Sequence, residues 1–451
     1  MRRYWRRVSS TNQRASMQYF INLLTRLRAS LWLIPAAMCA MLWGLAYALV
    51  FTPLGFPGVE AGKHWWLFSG DSDTARELVS TILSGTITMT SLVVSITMVV
   101  LSLASAQLGP RLIDNFLRDR EIQAVLGLFT GTVFYCLFVL RSSNAEKGAD
   151  DVPHVAITTA TVLAMMCLLA LLFYVHKIAR SIVADTVVTH VADSLESAIL
   201  RESRHTPSRE PGPSGGQYIH AVPLSLGESG YVQVVEYDQL VELAEREDMV
   251  IDVRVRPGNF VLRGSLAAVV QSNSRMPEKV EAKIRDAFTI GQERTPTQDL
   301  EYSVRQLVEI AVRALSPGIN DPFTAIAVIN RLASALELAA ENAVSVTHHA
   351  DKAGNVRVVA ISSSLSDWFD TAFNQVRQAA SHTPSVLIQL ARVSTQLASV
   401  LPDAQSRASL QRHVQKISRA GRRFIEDPAD RADFSSNIET AQRILSSRQS
   451  R

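Results

Sequence analysis

The stretch LVSTILSGTITMTSLVVSITMVVLSLASA, residues 78–106, carries no charged side chain and mixes Leu, Ile, Val and Met with Ser and Thr. A helix needs roughly 20 predominantly apolar residues to cross the ~30 Å hydrocarbon core of a bilayer, and at ~1.5 Å per residue this stretch is longer than that core. It therefore predicts a transmembrane helix that continues toward water at both ends. On a helical wheel Ser80, Ser84, Thr88, Ser91, Ser95, Ser102 and Ser105 fall in one sector roughly 100° wide, with Met98 as the bulky side chain near its middle. A hydroxyl can bond back to the carbonyl one turn earlier, so such a stripe is tolerated in lipid and is compatible with close packing against neighbouring helices. It is equally compatible with a water-filled path, in which Met98 would be the constriction.

Working outward, Leu31–Phe51, Ala124–Leu140 and Val155–His176 are further apolar runs of spanning length. The first is too long for the apolar core of a secretory signal and is expected to remain in the mature protein. Gly127 and Gly131 form a single GxxxG in the third run and read as a packing face. Lys and Arg near the span ends set orientation. Arg2, Arg3, Arg6, Arg7, Arg14, Arg26 and Arg28 precede the first run, and Arg111, Arg118 and Arg120 follow the second, so these sides are expected in the cytoplasm. The segments 52–77 and 141–153 carry few basic residues and are expected outside, Trp65 and Trp66 suiting either an interface anchor or a small packed loop. Asp71, Asp73 and Glu77 cluster before the second span, against Arg76, as an acidic outer mouth. After Gly109–Pro110, residues 111–120 separate apolar from charged positions as a short interfacial helix would.

The expected fold is an α-helical integral membrane protein with four spans and both termini cytoplasmic, followed by a cytoplasmic domain. Its parts are a basic arm (1–30), the transmembrane domain (31–179), a helical stalk (180–202), a flexible linker (203–216), a small α+β unit (217–275), a helical region (276–426) and a polar tail (427–451). In the stalk, Ala184, Val188, Val191, Leu195 and Ile199 recur at helical spacing and suggest a self-association seam. In the α+β unit, Tyr231–Val235, Val250–Val255, Phe260–Leu262 and Leu266–Val270 read as strands and Tyr237–Arg246 as a helix. RPGNFVLRGSLAAVV, 256–270, is similar in turn pattern to half of a lipoyl or biotinyl barrel but lacks the lysine that would carry the group. Asp299–Leu315, Pro322–Ala343, Leu365–Ala380, Ser385–Val400 and Ala404–Ile425 have helical period, with a β-like Val356–Ile361 between them.

Two stretches, SLASAQLGPRLIDNFLRDREIQAVLGLF at 102–129 and TIGQERTPTQDLEYSVRQLVEIAVRALSPGINDPFTA at 289–325, resemble a bacterial predicted membrane protein family, domain of unknown function 2254. The resemblance extends from about Leu31 to about Leu401 and implies four N-terminal spans with a cytoplasmic C-terminal region. It implies no activity. The region after Asp403 is where least agreement is expected.

Charged residues make up 19% of the chain and the net charge is +3, too small to suggest nucleic acid. Cys39, Cys136 and Cys167 lie apart in apolar runs and suggest neither disulfides nor a metal site. No phosphate loop, nucleophile elbow or HExxH is present, so neither an enzyme nor a cofactor is expected. Asp299 and Glu301 suit the positive end of a helix dipole, Asp321–Pro322 suits a helix start, and His348–His349 suits a solvated turn. Two functional classes remain. One is a homo-oligomeric inner-membrane channel, with ions, cations first, moving along the stripe. The other is a membrane-anchored sensor or scaffold whose cytoplasmic domain binds a partner or ligand.

Overall fold

The computed structural model describes residues 33–51, 67–108, 119–142, 154–181, 184–205, 218–342, 348–361 and 363–447. The basic arm, Trp65 and Trp66, nearly all of the interfacial segment and most of the 203–216 linker lie outside the described residues. The chain divides into two compact units, residues 1–183 and 184–451.

The first unit contains α1 (Leu33–Phe51), α2 (Ser72–Leu108), α3 (Arg120–Ser142) and α4 (His154–Ser181). Close approach of α1 and α3 requires Gly127 and Gly131. A Cβ on Gly127 would fall 2.8 Å from Met38 Sδ, and one on Gly131 2.7 Å from Leu42 Cδ1. Two tyrosine hydroxyls add hydrogen bonds between helices. Tyr135 Oη donates to the Ala156 carbonyl at 2.8 Å, joining α3 to α4, and Tyr174 Oη donates to the Val93 carbonyl at 3.2 Å, joining α4 to α2.

The second unit begins with α5 (Ala184–His205), β1 (His220–Ser225), β2 (Gly230–Val235), α6 (Tyr237–Arg246), β3 (Met249–Val253), β4 (Phe260–Val261), β5 (Leu266–Ser272), α7 (Glu278–Asp286) and β6 (Phe288–Gly291). It continues with α8 (Leu300–Ala314), α9 (Pro322–Glu341), β7 (His348–Ala350), β8 (Val356–Ala360), α10 (Leu365–Ala379), α11 (Pro384–Val400), α12 (Ala404–Phe424) and α13 (Pro428–Ser447). A five-stranded sheet has the order β1-β5-β3-β8-β7, and a three-stranded sheet the order β4-β2-β6. The β3–β8 pair is parallel, with Ile251 opposite Val358, and the other pairs are antiparallel.

Four expectations need correction. The α+β unit does not end at 275: α7 contributes Val280 and Ile284 to its core, β6 completes the small sheet, and β8 adds Val358 to the core from far along the chain. The polar tail is a helix over most of its length, because Phe434, Ile438, Ala441 and Leu445 recur on one face and are buried, α13 lying against α11. The 180–202 stalk does not stand free. Val188, Val191, Leu195 and Ile199 are all buried, α5 packing on α8 and α9 of the same chain, so its apolar row is consumed as core and is not open for self-association. His348 and His349 lie in β7, and His349 stacks on Tyr237 with ring centroids 4.3 Å apart.

Helix starts follow the sequence closely. Asp299 Oδ1 accepts from Tyr302 N at 3.2 Å, Asp321 Oδ1 from Thr324 N at 3.1 Å and Asp403 Oδ1 from Ser406 N at 2.7 Å, while Ser364 and Asp367 form a reciprocal capping box.

Among the described residues, five helices are long and apolar enough to cross a membrane by length and composition: α1, α2, α3, α4 and also α9.

Candidate functional site

The two sides of α2 differ sharply. Ala75, Val79, Leu83, Thr86, Val93 and Val100 are buried on the side that meets α3 and α4. With 3.6 residues per turn the hydroxyl stripe lies nearly opposite. Ser80, Ser84, Thr88, Ser91, Ser95 and Ser102 are exposed, and Met98 is 62% exposed. Ser105 is helical, but its side chain lies outside the described residues. Within one chain, therefore, the stripe is not a packing surface. Thr97, on the inner side, does that work: its hydroxyl meets Tyr174 Oη.

The outward face of α4 gives the contrast. It presents Leu168, Leu169 and Leu172, all more than half exposed, as a side chain set facing lipid should. On α2 small polar groups occupy the corresponding outward position, flanked by the exposed Ile87 and Val94 along one edge and by Leu92, Val99 and Leu103 along the other. Threonine hydroxyls along α2 bond back to carbonyls four residues earlier, Thr88 to Ser84 at 3.0 Å among them, which satisfies the hydroxyl donor without a neighbouring helix. At the start of α2, Asp71 Oδ1 accepts from Thr74 N at 3.1 Å, and Asp71, Asp73 and Glu77 are all exposed. Asp73 and Glu77 continue the angular sector of the stripe.

A second polar constellation surrounds Asp299 and Glu301 at the start of α8. Glu301, buried on α8, accepts from Arg256 Nη2 at 2.9 Å, Arg305 Nη2 at 2.8 Å and Thr371 Oγ1 at 2.7 Å. Arg256 also reaches Asp367 at 3.0 Å, so the loop after β3 is tied to α8 and α10. Beside it, Asp299 is paired with Arg294 Nε at 2.8 Å. Gly258, at φ +87°, fits over this pair, where a Cβ would fall 2.2 Å from Asp299 Oδ2.

Burial pushes the Glu301 carboxyl up, but hydrogen bonds from Arg305 and Thr371 and the charges of Arg305 and Arg256 outweigh it and hold the group below its ordinary range. At Asp299 burial wins over Arg294, and the carboxyl is raised. The sequence did carry a signal. Glu301 shares a helix face with Val304 and Val308, and a charge on an apolar face needs a partner. The geometry is that of a clamp between the α+β and helical parts, with no nucleophile and base set against each other. Among the described residues, no group of three or more His, Cys, Asp or Glu side chains could hold a metal ion.

Several apolar helices of spanning length, joined to a C-terminal region that is partly α+β and partly helical, define a helical membrane protein. The chain belongs to the family described as predicted membrane protein, domain of unknown function 2254, whose model matches residues 28–396. The match stops short of Asp403, where least agreement was expected. The chain is 30% identical over 428 residues to the uncharacterized proteins Mb1321c of Mycobacterium bovis and Rv1290c of Mycobacterium tuberculosis, covering 91% of this chain and 80% of each relative. No solved structure matches it.

Proposed function

We propose that the protein is a subunit of a homo-oligomeric channel of the bacterial inner membrane, with water and ions moving along the hydroxyl face of α2. The observation that supports this reading is the exposure of that face: a lone helix cannot enclose water, but copies related by rotation can turn their stripes toward a common axis. Ser80, Ser84, Thr88, Ser91, Ser95, Ser102 and Ser105 then line the path, Met98 narrows it, and Asp71, Asp73 and Glu77 favour cations at the outer mouth. Four helices, α1 to α4, span the bilayer, with both termini and the second unit in the cytoplasm. In this reading α9 is a core helix and not a fifth span. It buries Val328, Ile329, Leu332 and Leu336, while its Arg331 donates to Thr189 on α5 at 3.4 Å.

Potassium flux from liposomes containing the purified full chain tests the proposal. Met98→Ser hydrates the apolar ring and is expected to raise resting flux. A tenfold rise corresponds to a barrier lowered by about 1.4 kcal/mol. Ser95→Trp should reduce flux, and Leu169→Ser, outward on α4, should leave it unchanged. Equal flux in parent, Met98→Ser and Ser95→Trp at matched assembly would remove the channel and leave the sensor or scaffold reading.

A further inference from the structure

The turn between α8 and α9 holds two large apolar side chains out of the core. Phe323 is 83% exposed and Ile319 41%, and Pro317, Gly318 and Asn320 around them are exposed as well. The turn has a fixed backbone. Ile319 N and Asn320 N donate to the Ser316 carbonyl at 3.1 and 2.9 Å, and Asp321 N donates to the Ala314 carbonyl at 2.7 Å. Asn320 takes a left-handed φ of +47°, which asparagine tolerates. These amides are satisfied within the turn, so the two side chains are presented without any unmet backbone group beside them.

Neighbouring helices set the place of the turn in the second unit. α8 starts at the Arg256 clamp, where it contributes Glu301, so the turn lies at its other end, about 20 Å along the axis. α9 runs parallel to α5, Arg331 bonding Thr189 at 3.4 Å and Ser334 bonding Glu196 at 3.1 Å. From Ser334 back to Phe323 is about 16 Å along α9, and from Glu196 back to Ala184 is about 18 Å along α5. The exposed turn is therefore level with the start of α5, at the end where the chain enters the unit. Only residues 182 and 183 separate α5 from Ser181, the last residue of α4. Three Cα steps reach at most about 11 Å. If α4 crosses the bilayer, the start of α5 is tethered close to the membrane surface, and the turn shares that end of the unit.

These observations select the partner. Two side chains are too little for a stable protein interface, which buries about 1,200–2,000 Å². They suffice at a bilayer surface, where attachment through α4 supplies a high effective concentration and apolar groups settle about 5–10 Å into the boundary between headgroups and acyl chains. Charge does not favour an anionic surface. α10 runs from the clamp to this same end, where His382 meets Phe424, and there Arg422 and Arg423 are followed by Glu426 and Asp427. We propose that Ile319 and Phe323 insert into the lipid surface on the cytoplasmic side of α4 and hold the helical part of the second unit against the bilayer. The inference rests on α4 spanning the membrane and is independent of the channel.

Spin labels on the full chain in phosphatidylcholine liposomes test this. Ile319→Cys, Phe323→Cys, Gln405→Cys and Leu169→Cys each carry a nitroxide in a background with Cys39, Cys136 and Cys167 changed to Ala. Collisions with oxygen, which concentrates in lipid, are compared with collisions with a nickel chelate, which stays in water. Gln405 begins α12 at the opposite end of the unit, beside the last turn of α9. Labels at 319 and 323 are expected to favour oxygen several-fold more than the label at 405 and to approach the label at 169. Water-like values at 319 and 323, with 169 in lipid, would overturn the inference and leave the span intact. Low collision with both reagents at 319 and 323, the sign of burial against protein, would overturn it as well. A water-like label at 169 would remove the span and the inference with it. As a check that keeps the native cysteines, Phe323 is replaced by p-benzoylphenylalanine. Irradiation should give lipid adducts by mass, and protein crosslinks without lipid adducts would count against lipid docking.

Discussion

Removing α5 should destabilise the second unit, because the helix is part of its core. A fragment beginning at Gln217 would lack Val188, Val191, Leu195 and Ile199, each no more than 2% exposed. Fully burying such a side chain contributes about 1.5–3 kcal/mol, so the four together contribute about 6–12 kcal/mol gross. Ordering the helix offsets a large share of this, leaving an expected net loss of about 3 kcal/mol when it is deleted. The hydrogen bonds of Arg331 to Thr189 and of Ser334 to Glu196 disappear as well. For a urea slope of about 3 kcal/mol per molar, the midpoint should fall by about 1 M relative to a fragment beginning at Ala184. The uncovered faces of α8 and α9 should also promote self-association. Circular dichroism during urea titration of the two fragments, with sedimentation to check their size, measures both effects. Equal midpoints for two monomeric fragments would refute the claim that α5 is core.

The clamp makes a pH prediction. A carboxyl held low in the fold contributes stability that is present above the unfolded carboxylate pKa, about 4.3 for Glu, and lost as pH falls through its folded value. Glu301→Gln should therefore be less stable than the parent at pH 7, by about 1–2 kcal/mol, with the gap closing below about pH 4. Asp299, raised by burial, acts in the opposite sense, its contribution being lost as pH rises through its folded value, and Asp299→Asn should show that sign in urea titrations at several pH values. Gly258→Ala combines a left-handed φ with a clash against Asp299 and should cost about 2 kcal/mol or more, read as a lowered urea midpoint. A Gly264→Ala control, with open space around the new Cβ, should cost far less. Reporter fusions after Arg28, Asn115 and Gly216 should report the cytoplasm and those after Gly62 and Gly148 the periplasm. A single reversal would break the four-span arrangement.

Sequence by itself determined the features that depend on local composition. Apolar runs of spanning length, the GxxxG face of α3, the strand and helix periods around Tyr231–Val235 and Tyr237–Arg246, and the helix start at Asp321–Pro322 all follow from interactions a few residues apart. The angular sector of the Ser and Thr residues on α2 was equally legible, because helical geometry fixes it. Which way that sector points was not, since burial of Val79, Val93 and Val100 depends on where α3 and α4 lie. The same limit applies to α5. An apolar row at helical spacing shows that something must cover it, but only tertiary packing decided that the cover is α8 and α9 of the same chain. Glu301 and Arg256 meet across 45 residues, and β8 joins β3 across a still longer separation. Such partners are selected by the free energy of the whole packed domain, in which each buried charge and each sheet edge must be satisfied, and no short window of sequence contains both members.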